Sequence, residues 1–336
     1  MLAEAREAPA AAARAIAANQ AVCRALAARL QAKPPRFVVT CARGSSDSVA
    51  TYANYLIELT LGIVVASVGP SVSSIYGARL DMRDALFIAI SQSGRSPDLL
   101  ALAESARRDG ALTVAIVNDD ASPLAGAVEI VLAVHAGREQ SVAATKSYIA
   151  SLAAILELVA AWRDDPALLQ AVAGLPEALE HAAAADWQSA LPLLVAAEHL
   201  YVVGRGVGYA AAQEAALKLK ETGGLHAEAI SAAELMHGPL ALAGLGFPVF
   251  GIGQDDAALP ALRDLLATVA AQGAPVVSAA PGSGWPGLAL PVSPHHPFVQ
   301  PITTIQSFYI LAEAVARARG RDPDRPQHLR KVTETV

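Results

Sequence analysis

Shifted by 162 residues, the chain lies on itself. Residues 36–59, RFVVTCARGSSDSVATYANYLIEL, align with 198–221, EHLYVVGRGVGYAAAQEAALKLKE, so Arg43-Gly44 falls on Arg205-Gly206 with an apolar run before each. The same shift sets 88–92 on 250–254. A duplicated chain has to bury two similar cores, so the fold reduces to one unit used twice. In each copy, short β-branched runs alternate with alanine-rich helical stretches. That alternation predicts an α/β class: two tandem doubly wound, flavodoxin-like domains with parallel sheets. In the first copy, strands are expected near 37–41, 63–67, 86–90, 112–117 and 129–134.

A chain of 336 residues with 54% hydrophobic content can fill a core in each copy. Helical sequence at 145–162, then a polar stretch punctuated by prolines, marks the join. The expected organisation is an N-terminal helical segment 1–30, a first domain 31–165, a linker 166–192, a second domain 193–320 ending in a helix near 302–318, and a C-terminal tail 321–336. The uncharged stretch 238–254 is interrupted by glycine and Pro248, which favours a buried strand over a membrane span.

A net charge of −6 supplies no basic field for nucleic acid or an acidic membrane surface. Two cysteines, Cys23 and Cys41, are too few for a disulfide framework or a four-ligand zinc site, and they suit a reducing compartment. Acids among the first residues and no apolar core there argue against a signal peptide. A cytoplasmic protein is expected, with a small molecule as its ligand.

The copies differ where chemistry is at stake. After its third strand the first copy has Ser91-Gln92-Ser93-Gly94-Arg95-Ser96-Pro97, and the second has Gly253-Gln254-Asp255-Asp256. Three hydroxyls and a glycine between a strand end and a helix marked by Pro97 supply O–H and N–H donors and a helix dipole for an anion. Two aspartates repel one. The turn Gly44-Ser45-Ser46-Asp47-Ser48 also follows a strand, and both turns are expected at one crevice outside the carboxyl edge of the sheet. Taken alone, SQSG is also what an ordinary helix-capping turn looks like.

The converse holds in the helix after each first strand. The second copy places Glu214, Lys218 and Glu221 at i, i+4 and i+7, one helix face with lysine between carboxylates, where the first has Tyr52, Leu56 and Leu59, a packing face. His237 follows in His-Gly-Pro. A solvated Glu/Lys face is the ordinary alternative, but this helix is alanine-rich and leaves a strand that reads as buried. His226 reads equally as a satisfied histidine at a helix start. His295-His296 reads as a surface loop, since no carboxylate or cysteine follows at ligand spacing. Arg43 and Arg205 either touch ligand or brace their turns.

Together SQSG, VAATK at 142–146, the block from 204 to 239 and the tail DPDRPQHLRKVTE resemble the paired sugar-isomerase (SIS) domains of glucosamine-6-phosphate synthase. Over its full length the chain resembles the stand-alone, isomerase-type glucosamine-6-phosphate deaminases. The resemblance implies that Ser46, Ser91, Gln92, Ser93 and Ser96 hold the sugar phosphate, that Glu221 shuttles a proton between C1 and C2, and that His237 opens the sugar ring. It implies that Lys331 closes over the substrate with its tail, and that Lys218, Glu214, Glu139, Gly44, Ser45, Val142 and Ala143 belong to the site. It also implies a homodimer in which His237 comes from the neighbouring subunit. Ala144 stands where the synthase commonly has a hydroxyl, and the ending after Lys331 differs by a residue.

The residue chemistry agrees. One carboxylate can take a proton from one sugar carbon and return it to the next, histidine exchanges protons near neutral pH, and lysine counters an enediolate-like charge. No metal or organic cofactor is required. The synthase's glutaminase cysteine has no counterpart at Leu2, which favours deamination of glucosamine 6-phosphate to fructose 6-phosphate and ammonia. The alternatives are ammonia-dependent synthesis, deglycation of a fructosamine 6-phosphate, and a non-catalytic sugar-phosphate sensor.

Overall fold

The computed structural model describes residues 1–331; 332–336, the stretch after Lys331, lie outside the described residues. Helix α1 (Leu2–Ala32) comes first, followed by β1 (Phe37–Ala42), α2 (Ser45–Leu61), β2 (Val65–Ser67), the one-turn α3 (Ser71–Ser74), β3 (Ala85–Ser91), α4 (Pro97–Arg108), β4 (Leu112–Val117), α5 (Pro123–Ala127) and β5 (Ile130–Ala133). Next come α6 (Lys146–Arg163), α7 (Pro166–Ala183) and α8 (Leu191–Ala196). The second copy runs β6 (His199–Gly204), α9 (Gly208–Glu221), β7 (His226–Ser231), α10 (Ala232–Leu235), β8 (Val249–Ile252), α11 (Leu259–Ala271), β9 (Val276–Ala279), β10 (Leu288–Ala289) and α12 (Gln300–Ala318).

All strand pairs are parallel, and the two sheets have the same winding: β2-β1-β3-β4-β5 and β7-β6-β8-β9-β10. The duplication read from sequence is therefore a duplication of topology. Every residue of β3 is buried, as a parallel strand covered on both faces requires. Val39, Phe87, Leu99 and Leu102 belong to one core, and Tyr201, Val203, Leu262 and Leu266 to the other. The five strands expected in the first copy all form, the second beginning at Val65.

Contacts divide the chain into two compact units. The first-sheet unit comprises Ala8–Glu139, Lys146–Leu175 and the described part of Arg330–Val336; the second-sheet unit comprises Met1–Glu7, Gln140–Thr145 and Pro176–Leu329. The stretch 166–192 is largely α7. Its buried residues Leu168, Val172, Leu175, Leu179 and Ala182 recur every three or four positions, a helical stripe that outweighs the prolines. Pro166 opens this helix, where its missing N–H costs nothing.

Three finer expectations change. Tyr52 and Leu56 are fully buried, but Leu59 is 61% exposed, because the last turn of α2 leaves the packed face. Of 238–254 only Val249–Ile252 forms the buried strand; before it, Leu242 is exposed at the end of a short 3-10 helix, Pro239–Leu242, and Leu245 is exposed in the loop that follows. His226 is exposed and begins a strand, not a helix. Both cysteines are buried and free, and burial pushes the Cys41 thiol up to about 12. Among the described residues no helix is long and apolar enough to cross a membrane, and no His, Cys, Asp and Glu cluster could hold a metal ion.

Candidate functional site

In the first-sheet unit, β1 and β3 are adjacent, with Ala42 in register with Ile90, so the turns that follow them emerge side by side. The strand order reverses between these two strands, the place where doubly wound sheets hold ligands. Helices α2 and α4 both start there, directing the positive ends of their dipoles at the crevice. Ser96 occupies the N-cap of α4 in extended geometry, yet its hydroxyl caps nothing, and Gly44 likewise precedes α2 without a side-chain cap. Ser45, Ser46, Gln92, Ser93 and Ser96 are half-buried, and Ser91 is buried. The structure thus gathers the hydroxyls at one strand edge.

The loop holds its shape by local bonds. Gly94 N–H donates to Ser91 Oγ at 3.1 Å, Leu124 N–H to Gly94 O at 3.1 Å, and Arg95 pairs with Asp119 at 2.8 Å. Gly94 has φ 61°, and a Cβ there would sit 2.2 Å from Ser122 Oγ, so no larger residue fits. Arg43 pairs at 2.9 Å with Asp98, which is fully buried; this arginine braces its turn. Glu139, in the same unit, accepts from Ser147 Oγ at 2.6 Å and from Lys331 Nζ at 3.1 Å. The expected tail lysine is therefore held by an expected site carboxylate.

The matching crevice of the second-sheet unit, between β6 and β8, is filled from within. Gln254, 2% exposed, donates through Nε2 to Arg205 O at 2.9 Å and to Asp256 Oδ2 at 2.8 Å. Its amide is tied down inside the turn, whereas the equivalent Gln92 of the first copy is half-buried, and the repulsion expected from Asp255 and Asp256 adds to the difference.

Helix α9 carries the ionisable row. Glu214 and Lys218 are fully buried, Lys218 Nζ lies 3.6 Å from Glu214 Oε1, and Lys218 donates a hydrogen bond to Glu221. A buried ammonium is costly unless paired, and this one has a carboxylate on either side. Tyr309 of α12 donates to Glu214 Oε1 at 2.9 Å, a partner the sequence did not reveal. The side chain of Glu221 is 23% exposed and opens into a cleft of about 460 Å³, lined also by Thr222, Arg319, Arg321, Asp322 and Arg325. The buried end of the row fixes its partners while the open end meets solvent, the arrangement a proton-transferring carboxylate needs.

His237 is not joined to this row. It is exposed in the turn after α10, with its backbone N–H bonded to Glu234 O at 3.0 Å. Val142 and Ala143 lie in the second-sheet unit, and Val142 N–H bonds Asp324 O at 3.2 Å. His295 and His296 sit half-buried in a loop, and His296 packs on Phe298.

Comparison with known proteins follows the same division. The SIS domain model matches residues 33–161 and again 193–318. The chain is 32% identical over 329 residues to glutamine–fructose-6-phosphate aminotransferase of Aeropyrum pernix, covering 92% of this chain and 52% of that protein. It spans about half the length of the curated relatives it matches. A crystal structure from Silicibacter pomeroyi DSS-3, provisionally named a phosphosugar isomerase, superposes with TM-score 0.92 and 45% identity over 96% of this chain and 99% of that one. The C-terminal domain of glucosamine-fructose-6-phosphate aminotransferase from Francisella tularensis gives TM-score 0.84 and 26% identity over 96% and 97%. The chain belongs to the SIS domain family and carries that domain twice.

Proposed function

We propose that the chain is an enzyme of sugar phosphates that converts glucosamine 6-phosphate and water to fructose 6-phosphate and ammonia. The observation that carries the reading is Glu221, tethered by buried Lys218 and opening into a cleft. Once the ring is open, Glu221 takes the proton from C2 and returns it to C1, leaving an imine at C2. Water adds to that imine and ammonia departs, so the balance needs no co-reactant beyond water. Lys218 offsets the negative charge that builds on the enediolate-like intermediate. The hydroxyl loop of the first-sheet unit takes the phosphate, and His237 of a second copy opens the ring.

Ammonia release from glucosamine 6-phosphate by purified protein tests this. Glu221→Gln is expected to lower turnover by at least about a hundredfold while substrate binding persists. No ammonia from the folded wild type overturns the reading, and if wild type and Gln variant then bind glucosamine 6-phosphate alike the chain is a sensor; a Gln variant as active as an active wild type removes Glu221 from the proton transfer. The aminotransferase relatives favour a second reading, ammonia-dependent synthesis in the opposite direction. Product formation from fructose 6-phosphate and ammonium measures it in the same assay.

A further inference from the structure

A phosphate monoester carries about 1.5 to 2 negative charges at neutral pH, whereas the hydroxyls and backbone N–H groups gathered in the first-sheet unit are neutral. The two turns there hold two cations, Arg43 and Arg95. Arg43 has no charge to spare: it pairs with the fully buried Asp98 and lines a cleft with Asp47, one cation against two carboxylates. Asp98 holds it fast, because a buried carboxylate stripped of its partner is costly. Arg95 stands between Gly94 and Ser96, inside the hydroxyl loop itself, and pairs with Asp119 at 2.8 Å. Its side chain is 55% exposed and that of Asp119 38%, and an exposed pair of this kind holds weakly.

The second copy has no such pair. At the shift of 162 residues α4 falls on α11 and β4 on β9, yet Arg95 falls on Ala257 and Asp119 on Pro281. The topology therefore forms without the pair, which occurs only in the copy that carries the hydroxyls.

We propose that Arg95 is a ligand of the substrate's phosphate and exchanges Asp119 for it on binding. The proposal rests on the sugar-phosphate reading above and adds a residue to its phosphate site. A guanidinium meets phosphate oxygens with paired, charge-assisted N–H bonds, which outweigh an exposed carboxylate pair. The main chain stays where it is. Leu124 N–H bonds Gly94 O at 3.1 Å, and Asp119 is fixed in the neighbouring turn by Ala121 N–H on its Oδ1 at 3.2 Å and Ser122 N–H on its O at 3.1 Å. Only the arginine side chain has to turn. Before substrate binds Asp119 neutralises the guanidinium, and afterwards the phosphate does.

Calorimetric titration with inorganic phosphate at low ionic strength tests this on wild type, Arg95→Gln, Asp119→Asn and the double variant. Arg95→Gln is expected to weaken binding about tenfold, Asp119→Asn, which frees the arginine, to tighten it about threefold, and the double variant to lose that gain. Arg95→Lys keeps the charge without the planar fork and is expected to fall between wild type and Arg95→Gln. The KM for glucosamine 6-phosphate is expected to move in the same directions, with the larger share of each change in KM and the smaller in kcat. An arginine that merely braces its loop gives another pattern, since both single variants then break the same pair and weaken binding alike. That pattern, a gain from Asp119→Asn that survives the loss of Arg95, affinity indifferent to Arg95, or no phosphate binding by wild type overturns the proposal, whether or not ammonia is released. The expected pattern without any ammonia release overturns the proposed reaction instead.

Discussion

At the scale of single residues, the site depends on which polar groups share a helix face and which of them are dry. Spacing alone placed Glu214, Lys218 and Glu221 together, because helical periodicity is a local property of sequence. Tyr309 stayed hidden because its partner Glu214 lies far away in the chain and nothing local marks one tyrosine of an apolar helix as a donor. Tyr309→Phe removes that donor and leaves Glu214 Oε1 short of a bond. The expected loss is about 1–3 kcal/mol by urea denaturation, with a fall in kcat at little change in KM, since Tyr309 positions the row without touching substrate. Unchanged stability and kcat would show the bond to be incidental.

At the scale of elements, parallel strands were legible as short apolar runs, and both hydroxyl turns were legible as strand ends rich in serine and glycine. Helix α7 was not, because polar residues and prolines masked a stripe that only its partners reveal. Helix α6 carries a consequence of its burial. Glu157 lies within it at 4% exposure with Oε2 unbonded, and burial pushes its carboxyl up to about 7, against a lesser opposing pull from Arg24. A folded-state value above the unfolded one means that the native chain binds the proton more tightly. Stability therefore falls as pH rises from about 4.5 to about 7 and is level above that window. Glu157→Gln is expected to be more stable than wild type at pH 8, by up to about 3 kcal/mol, and nearly equal at pH 4. Thermal melts at the two pH values check it, and a gain of the same size at both would point to packing instead.

At the scale of the whole molecule, one topology is used twice, and the duplication was legible because the copies share their strand-turn-helix pattern while diverging at the equivalent positions on which the proposed division of tasks rests. What it could not show is how His237 is used. The histidine is exposed, and near it in sequence Met236, Leu242 and Leu245 are 52%, 60% and 94% exposed. Apolar side chains so placed suit a surface covered by another copy. If His237 serves the partner's site, mixing Glu221→Gln and His237→Ala proteins after unfolding and refolding yields mixed dimers with one intact site, recovering about a quarter of wild-type turnover. Should the mixture stay as inactive as its parents, the histidine acts within its own chain.

The amide of Gln254 has a further effect. It is tied to Arg205 O and Asp256 inside the second unit's equivalent turn, so under the proposed reading a ligand with one charged end would find a single berth and not two. On that reading, head and tail of the guest would be told apart before any bond is made or broken, and a molecule whose skeleton nearly repeats itself would still have one orientation in which to be received.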